Sequence, residues 1–204
     1  EELYAWDAEK RGSGLLLCGV DEAGRGPLAG DVFAAAVIFD KDTVIEGIND
    51  SKKRTAKKRE ELFDEIMEKA VDFSIQTATV EEIEDINILH AAMLAMKRAV
   101  EDMDTKPDVC LIDGNKNPEG LECPAIAVVK GDAKSQAVAA ASILAKVARD
   151  RYMEQMAEQY PEYRFEKHKG YGTKLHYQMI DQYGPCGIHR MSFLKKYYAK
   201  KNGH

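Results

Sequence analysis

No apolar stretch in this sequence approaches the roughly 18 residues that a membrane-spanning helix requires. The amino terminus, EELYAWDAEKRGSG, also lacks the basic-then-apolar order of a secretory signal. Both absences lead to the expectation of a soluble, cytoplasmic chain with no membrane partner. Cysteine is sparse: Cys18, Cys110, Cys123 and Cys186 have neither the paired spacing of a zinc site nor the density of a disulfide scaffold. Positive charge is in deficit, with 29 Lys and Arg against 35 Asp and Glu for a net charge of -6, which on its own argues against a nucleic-acid partner. Repeats, low-complexity tracts and linkers are also missing. The 204 residues, 45% of them hydrophobic, suffice for one sizeable core, so a single domain over 1–204 is expected.

What the chain does have begins at Leu15. The apolar run from Leu15 to Val20 stops at two adjacent carboxylates, Asp21 and Glu22, and a turn follows through Gly24, Arg25 and Gly26. A short apolar run bounded by turn signals reads as a strand covered on both faces. Its carboxyl end is where α/β sheets place ligands. Taken alone, such an acidic pair is equally an ordinary solvated turn. A second apolar run, Val32 to Phe39, suits an antiparallel neighbour. A helix is expected over about 56–70, a half-exposed strand over Val71 to Val80, and a capping box from Thr79 to Glu82 opening a helical region to about Met103 with a break near Asn87.

The acidic pattern then returns. PDVCLI ends in Asp113, and AIAVV ends in Lys130, Gly131 and Asp132, ahead of a long Ala-rich helix from about Ser135 that stops at Pro161 and that Asp132 is expected to cap. Strand–helix–strand order favours a partly parallel sheet that brings the acidic strand ends to one edge. Asp21, Glu22, Asp113 and Asp132 clustered without counterions would repel, and two divalent cations resolve this. Hard oxygen ligands suit Mg²⁺ or Mn²⁺, and such pairs serve phosphodiester hydrolysis. Because successive strand residues point to opposite faces, Asp21 and Glu22 can share a site only if the backbone turns between them. Basic residues gather in three groups, Lys52 to Arg59, Lys167 to Lys174 with His168, and Lys195 to Lys201, which together allow a local basic surface on an acidic protein. Dinucleotide binding at the glycine turn fits poorly, since GRGPLA lacks the third glycine and the acidic pair would repel a phosphate.

The segments DEAGRGPLAG, NDSKK, LIDGN, KGDAKSQAVAAASILAKVARDRYM, HKGYGT and HRMSF, in this order, resemble the ribonuclease HII family (type 2 ribonucleases H) from about Leu15 to Phe193. Arg25 favours type 2 over type 3. The resemblance implies an α/β, ribonuclease H-like fold: a five-stranded mixed sheet flanked by helices, with a small helical appendage over about 162–204. It implies that Asp21, Glu22, Asp113 and Asp132 are the catalytic, metal-binding carboxylates, holding Mg²⁺ or Mn²⁺, two ions when substrate is bound. Gly24, Arg25 and Gly26 match the turn whose backbone contacts a ribonucleotide 2′-hydroxyl. Tyr171 matches the tyrosine that stacks beside the following sugar. Asn49, Ser51 and Lys52 fall in the loop used near DNA phosphates. His168, His176 and His189 are read as backbone-contact or surface residues rather than catalysts.

The implied activity is an endoribonuclease acting on RNA–DNA hybrids and on the 5′ side of ribonucleotides in duplex DNA, leaving 5′-phosphate and 3′-hydroxyl ends. Its implied roles are ribonucleotide removal and RNA primer removal, and a monomer is expected. A binding module that has lost catalysis is the competing class, disfavoured because every expected carboxylate is present. One departure is Asp31, where proline is expected after LAG; it bears on a local turn or edge.

Overall fold

The structure, a computed structural model, describes residues 2–12, 14–48 and 55–203. Five strands form one mixed sheet in the order β3-β2-β1-β4-β5: β1 Leu17–Ala23, β2 Val32–Ile38, β3 Asp72–Ala78, β4 Val109–Asp113 and β5 Ala125–Val128. β2 runs antiparallel to β1 and β3, while β4 lies parallel to β1 and β5 parallel to β4. The expected five-stranded mixed sheet is therefore present. Among the described residues, no helix is long and apolar enough to cross a membrane.

Strand alternation assigns the two faces. Leu17, Ala35, Val37 and Leu111 point to one side, against α4 (Gln136–Gln159) with α1 (Glu2–Arg11) and α2 (Ala56–Lys69). Cys18, Val20, Ala34, Ala36, Cys110 and Ile112 point to the other, against the alanines and Met96 of α3 (Val80–Asp102). Every residue of β2 is buried, as a central strand covered on both faces must be.

α3 opens on the expected Thr79–Glu82 capping box and kinks at Asn87, whose φ is 69°. Asn87 Oδ1 accepts from the His90 amide at 3.1 Å, so the side chain caps the second half of the helix. α4 is capped by Ser135, whose side chain accepts from Val138 N; Asp132 lies in a preceding 3₁₀ turn, Gly131–Ala133, which corrects the expectation that Asp132 caps the helix. The spacing explains it: a cap must sit immediately before the first helical residue.

α4 lies on the backbone of β1. A Cβ on Gly19 would fall 2.1 Å from the Ala137 carbonyl carbon, so only glycine permits this approach, which sets the Asp132 turn beside the ends of β1 and β4. α1 adds a brace from outside the sheet: buried Asp7 accepts from Ala137 N at 2.8 Å. Three short helices, α5 Phe165–His168, α6 Lys174–Tyr183 and α7 Met191–Lys201, pack over the β1–β2 connection. Backbone bonds bind them there: Leu28 N to Gly170 O, Gly30 N to Ile188 O and Arg190 N to Leu28 O, all at 2.8–2.9 Å.

Two outcomes follow from the α4 contacts. Gly19→Ala forces helix and strand apart and lowers stability by at least about 3 kcal/mol in denaturant titrations. Burial raises the Asp7 pKa from 3.8 to about 6, so the fold disfavours the ionised form. Stability is then greatest below about pH 4 as far as Asp7 is concerned and falls as pH rises through about 6, by up to about 3 kcal/mol. Asp7→Asn flattens that slope in denaturation measured across this window.

Candidate active site

Parallel pairing of β1 with β4, Val20 opposite Ile112, sets the next residues, Asp21 and Asp113, side by side at the carboxyl edge of the sheet. The backbone does not turn between Asp21 and Glu22, as they continue the β1–β2 ladder opposite Ala35 and Ala34. That corrects the expectation of a turn there. The two carboxyls meet around the strand instead: Glu22 N donates to Asp21 Oδ1 at 2.8 Å, and the side chains lie close enough to share a proton. The expected condition failed because it treated side chains as rigid vectors at a strand end, where χ angles can swing carboxyls toward each other.

Asp21 is 5% exposed. Burial first, then the charges of Glu22 and Asp113, push its pKa well above the carboxylate range. Glu22 faces Met93 and Met96 of α3 together with Asp113, and its Oε2 is buried without a hydrogen-bond partner. Asp113 Oδ1 accepts from Asp132 N at 3.2 Å, and Gly131 packs against the same oxygen. Asp21, Glu22 and Asp113 thus interact directly, and the Asp132 backbone joins them through Asp113. Among the described residues, no three of these side chains are drawn within ligation distance of one point.

The glycine turn lies beside this cluster. Gly24 has φ 96°, and a Cβ there would strike Arg149 at 2.2 Å, so glycine is required on both counts. Glu22, Ala23, Gly24, Arg25, Gly26, Ser142, Lys146 and Tyr171 line a cleft of about 370 Å³. Tyr171 is 43% exposed, and the Arg149 guanidinium sits 5.9 Å from its ring centre. Arg25 and Glu22 form an ion pair at 3.7 Å on the open side. Asn49, Ser51 and Lys52 lie outside the described residues.

Sequence reasoning missed the two side chains that hold the turn. Arg190 is fully buried, and its guanidinium donates to Gly30 O, Arg25 O, Pro27 O and Gly24 O at 2.7–3.1 Å. Arg149, 2% exposed, donates to Asp31 O, Lys169 O and Ala29 O at 2.8–3.1 Å. The turn's carbonyls are thereby drawn inward onto two cations. Burial, with Arg149 nearby, pushes Arg190 down to about 9, so it stays charged at neutral pH. Arg149 had a signal in the sequence: it lies in register with Ala145 and Met153, a cation on the apolar stripe of a helix. Arg190 had none.

Asp31 is firmly placed. Its Oδ1 accepts from Val80 N at 3.0 Å, so the residue standing where proline was expected ties the turn to the start of α3. His168, His176 and His189 are buried and bonded to backbone groups, which removes the surface alternative and takes His168 out of the second basic group. Lys169 and Lys201 of the basic groups pair with Glu154 and Asp181.

A sheet in the order 3-2-1-4-5, with acidic residues ending its parallel central pair and a glycine turn held beside them, defines a ribonuclease H-type nuclease. The ribonuclease H2 of Pyrococcus horikoshii OT3 superposes with a TM-score of 0.76 at 28% identity over 93% of this chain and all of that one. Bst-RNase HIII, solved in complex with Mn²⁺, shares the fold at 18% identity with a TM-score of 0.73, over 97% of this chain and 73% of its own. The ribonuclease HII of Caldicellulosiruptor saccharolyticus is 56% identical over 180 residues, covering 88% of this chain and 87% of its own. With the ribonuclease HII family model matching residues 18–196, the chain belongs to the ribonuclease HII family. It is an endoribonuclease acting on RNA–DNA hybrids.

Replacing Arg190 tests the clamp. Lysine keeps the charge but cannot reach four carbonyls, so Arg190→Lys costs about 2–4 kcal/mol in denaturation. It also raises KM for a hybrid substrate more than it lowers kcat.

Proposed function

We propose that Asp21, Glu22, Asp113 and Asp132 bind divalent cations, Mg²⁺ or Mn²⁺, two of them with substrate in place. The enzyme then cuts RNA–DNA hybrids and the 5′ side of a ribonucleotide within duplex DNA, leaving 5′-phosphate and 3′-hydroxyl ends. The observation that carries this reading is the charge surplus at the strand ends. Burial and the neighbouring Glu22 and Asp113 raise the cost of ionising Asp21, and Glu22 Oε2 is buried with no donor. An all-oxygen, acidic donor set with an orphaned buried oxygen fits a small hard cation. When bound, a pair of such ions supplies an activated water and neutralises charge on the departing oxygen.

The chain's own groups do the rest. Arg190 and Arg149 turn the carbonyls of the glycine turn inward, which frees its outer face for a ribose 2′-hydroxyl, the group that separates RNA from DNA. Tyr171, across the same cleft, offers a ring face to the next sugar and disfavours one with an extra hydroxyl. Asn49, Ser51 and Lys52 hold the DNA phosphates. The protein acts as a monomer in the cytoplasm, removing misincorporated ribonucleotides and RNA primers.

The deciding assay is a duplex carrying one ribonucleotide, incubated with each metal, with the cut mapped to the base. Asp113→Asn abolishes cutting while a gel-shift assay still shows hybrid binding; retained cutting refutes the assignment. Because the raised Asp21 pKa means a proton must leave before a cation enters, metal affinity weakens as pH falls. Calorimetric Mn²⁺ titrations at pH 8 and pH 6 read this as weaker binding and greater proton release at the lower value.

A further inference from the structure

Behind the cleft lie three buried histidines that the reaction itself does not use. His168 stacks on His176 with ring centres 4.2 Å apart and planes 13° from parallel, and His189 tilts against His176 at 5.1 Å. Phe165 meets all three rings, and Tyr163 lies edge-on to His189. Every ring nitrogen has a partner, and the partners fix the protons.

Cys186 N donates to His189 Nδ1 at 2.8 Å, so neutral His189 carries its proton on Nε2. That nitrogen faces His176 Nε2 at 2.9 Å, which must then accept. His176 consequently holds its proton on Nδ1 and donates it to the Tyr171 carbonyl at 2.9 Å. On the other side Gly170 N donates to His168 Nδ1 at 3.1 Å, leaving His168 Nε2–H for Tyr163 O at 2.8 Å. One arrangement of three neutral imidazoles satisfies all six nitrogens. A second proton on His176 or His189 would set N–H against N–H.

The surroundings favour the neutral state. Burial lowers all three histidines, His176 and His189 to about 4. Glu166 acts on His168 and Glu162 on Cys186 from a distance, while Arg149 holds Lys169 O on the far side of the loop.

The relay ends on the backbone of the cleft's tyrosine. Tyr171 N donates to His168 O at 3.0 Å, and its carbonyl takes both His176 Nδ1–H and Thr173 N–H. The preceding residue, Gly170, is pressed so near Ala29 O that a Cβ would come within 2.7 Å, and its carbonyl accepts from Leu28 N. The loop therefore cannot slide, and Tyr171 keeps only its side-chain torsions to adjust against a sugar. We propose that His176 is a positioning residue for Tyr171: a neutral histidine relay, running from the Cys186 amide through His189 and His176, fixes the tyrosine's backbone and so sets discrimination at the RNA-to-DNA junction. This rests on the proposed role of Tyr171.

The test compares kcat/KM on a duplex with one ribonucleotide against kcat/KM on a long hybrid, for wild type, His176→Phe, His176→Asn, Tyr171→Ala and the His176→Phe/Tyr171→Ala double variant. Phenylalanine keeps the stacked ring and removes both nitrogens; asparagine keeps an N–H near the Nδ1 position. His176→Phe lowers the ratio about tenfold, His176→Asn restores most of it, and His176→Phe adds nothing in the Tyr171→Ala chain. Equal losses on both substrates, or a further fall of the ratio in the Tyr171→Ala chain, overturn the proposal. Histidine ¹⁵N spectra at pH 7 read the relay without any substrate: His176 as the Nδ1–H tautomer, His168 and His189 as Nε2–H. A charged ring, or Nε2–H on His176, overturns the relay itself. Expected tautomers with an unchanged ratio in Tyr171→Ala overturn the role of Tyr171, and with it the functional half of the proposal.

Discussion

The register between β1 and β4 is the constraint from which the site follows. With Val20 opposite Ile112, the strands run out together, and the next residue of each is an aspartate. A shift of one residue would turn Asp113 to the other face and separate the pair. The register is held by apolar side chains, Cys18, Val20, Cys110 and Ile112 against α3 and Leu17 and Leu111 against α4. The geometry of the charged groups is therefore decided by residues with no charge.

The site is costly to the fold, and apart from the Arg25–Glu22 pair on its open side, Asp21 and Asp113 are met by neighbouring backbone N–H groups. Asp21 and Glu22 are crowded and largely buried, while the two buried arginines are spent on carbonyls of the glycine turn instead of on these carboxylates. A carboxylate paired with Arg190 would be easier to ionise but less available to a cation. Segregating the charges, cations under the turn and anions at the strand ends, leaves the carboxylates unneutralised by the two buried arginines. The helices of the last forty residues serve this division, since Arg190 and the Gly170 loop come from them.

Much of this was legible in the sequence because it rests on local pattern. Apolar runs ending in Asp21 and Asp113 read as strands, the Thr79–Glu82 box marked a helix start, and Asn87 marked a break. The five-stranded sheet and the family were recoverable from motif order. What failed depends partly on contacts distant in the chain and partly on local backbone geometry that residue spacing does not reveal. α1 carries no amphipathic stripe and is held by Asp7 on Ala137, 130 residues away. Ser135 rather than Asp132 caps α4 because the intervening residues form a 3₁₀ turn. The capture of four carbonyls by Arg190 requires a turn and a helix separated by 160 residues, which no spacing rule registers.

Asp31 shows how one residue type can hold a joint by a different thermodynamic route. An imino acid at that position would act through the denatured chain, removing conformations whether or not anything was bonded to it. Aspartate leaves the denatured chain free and works only in the folded one, through its bond to Val80 N and its partly buried carboxyl. The seam between the glycine turn and α3 thus rests on a carboxyl that burial pushes above its ordinary range, so rising pH works against it, where a ring closure would be indifferent.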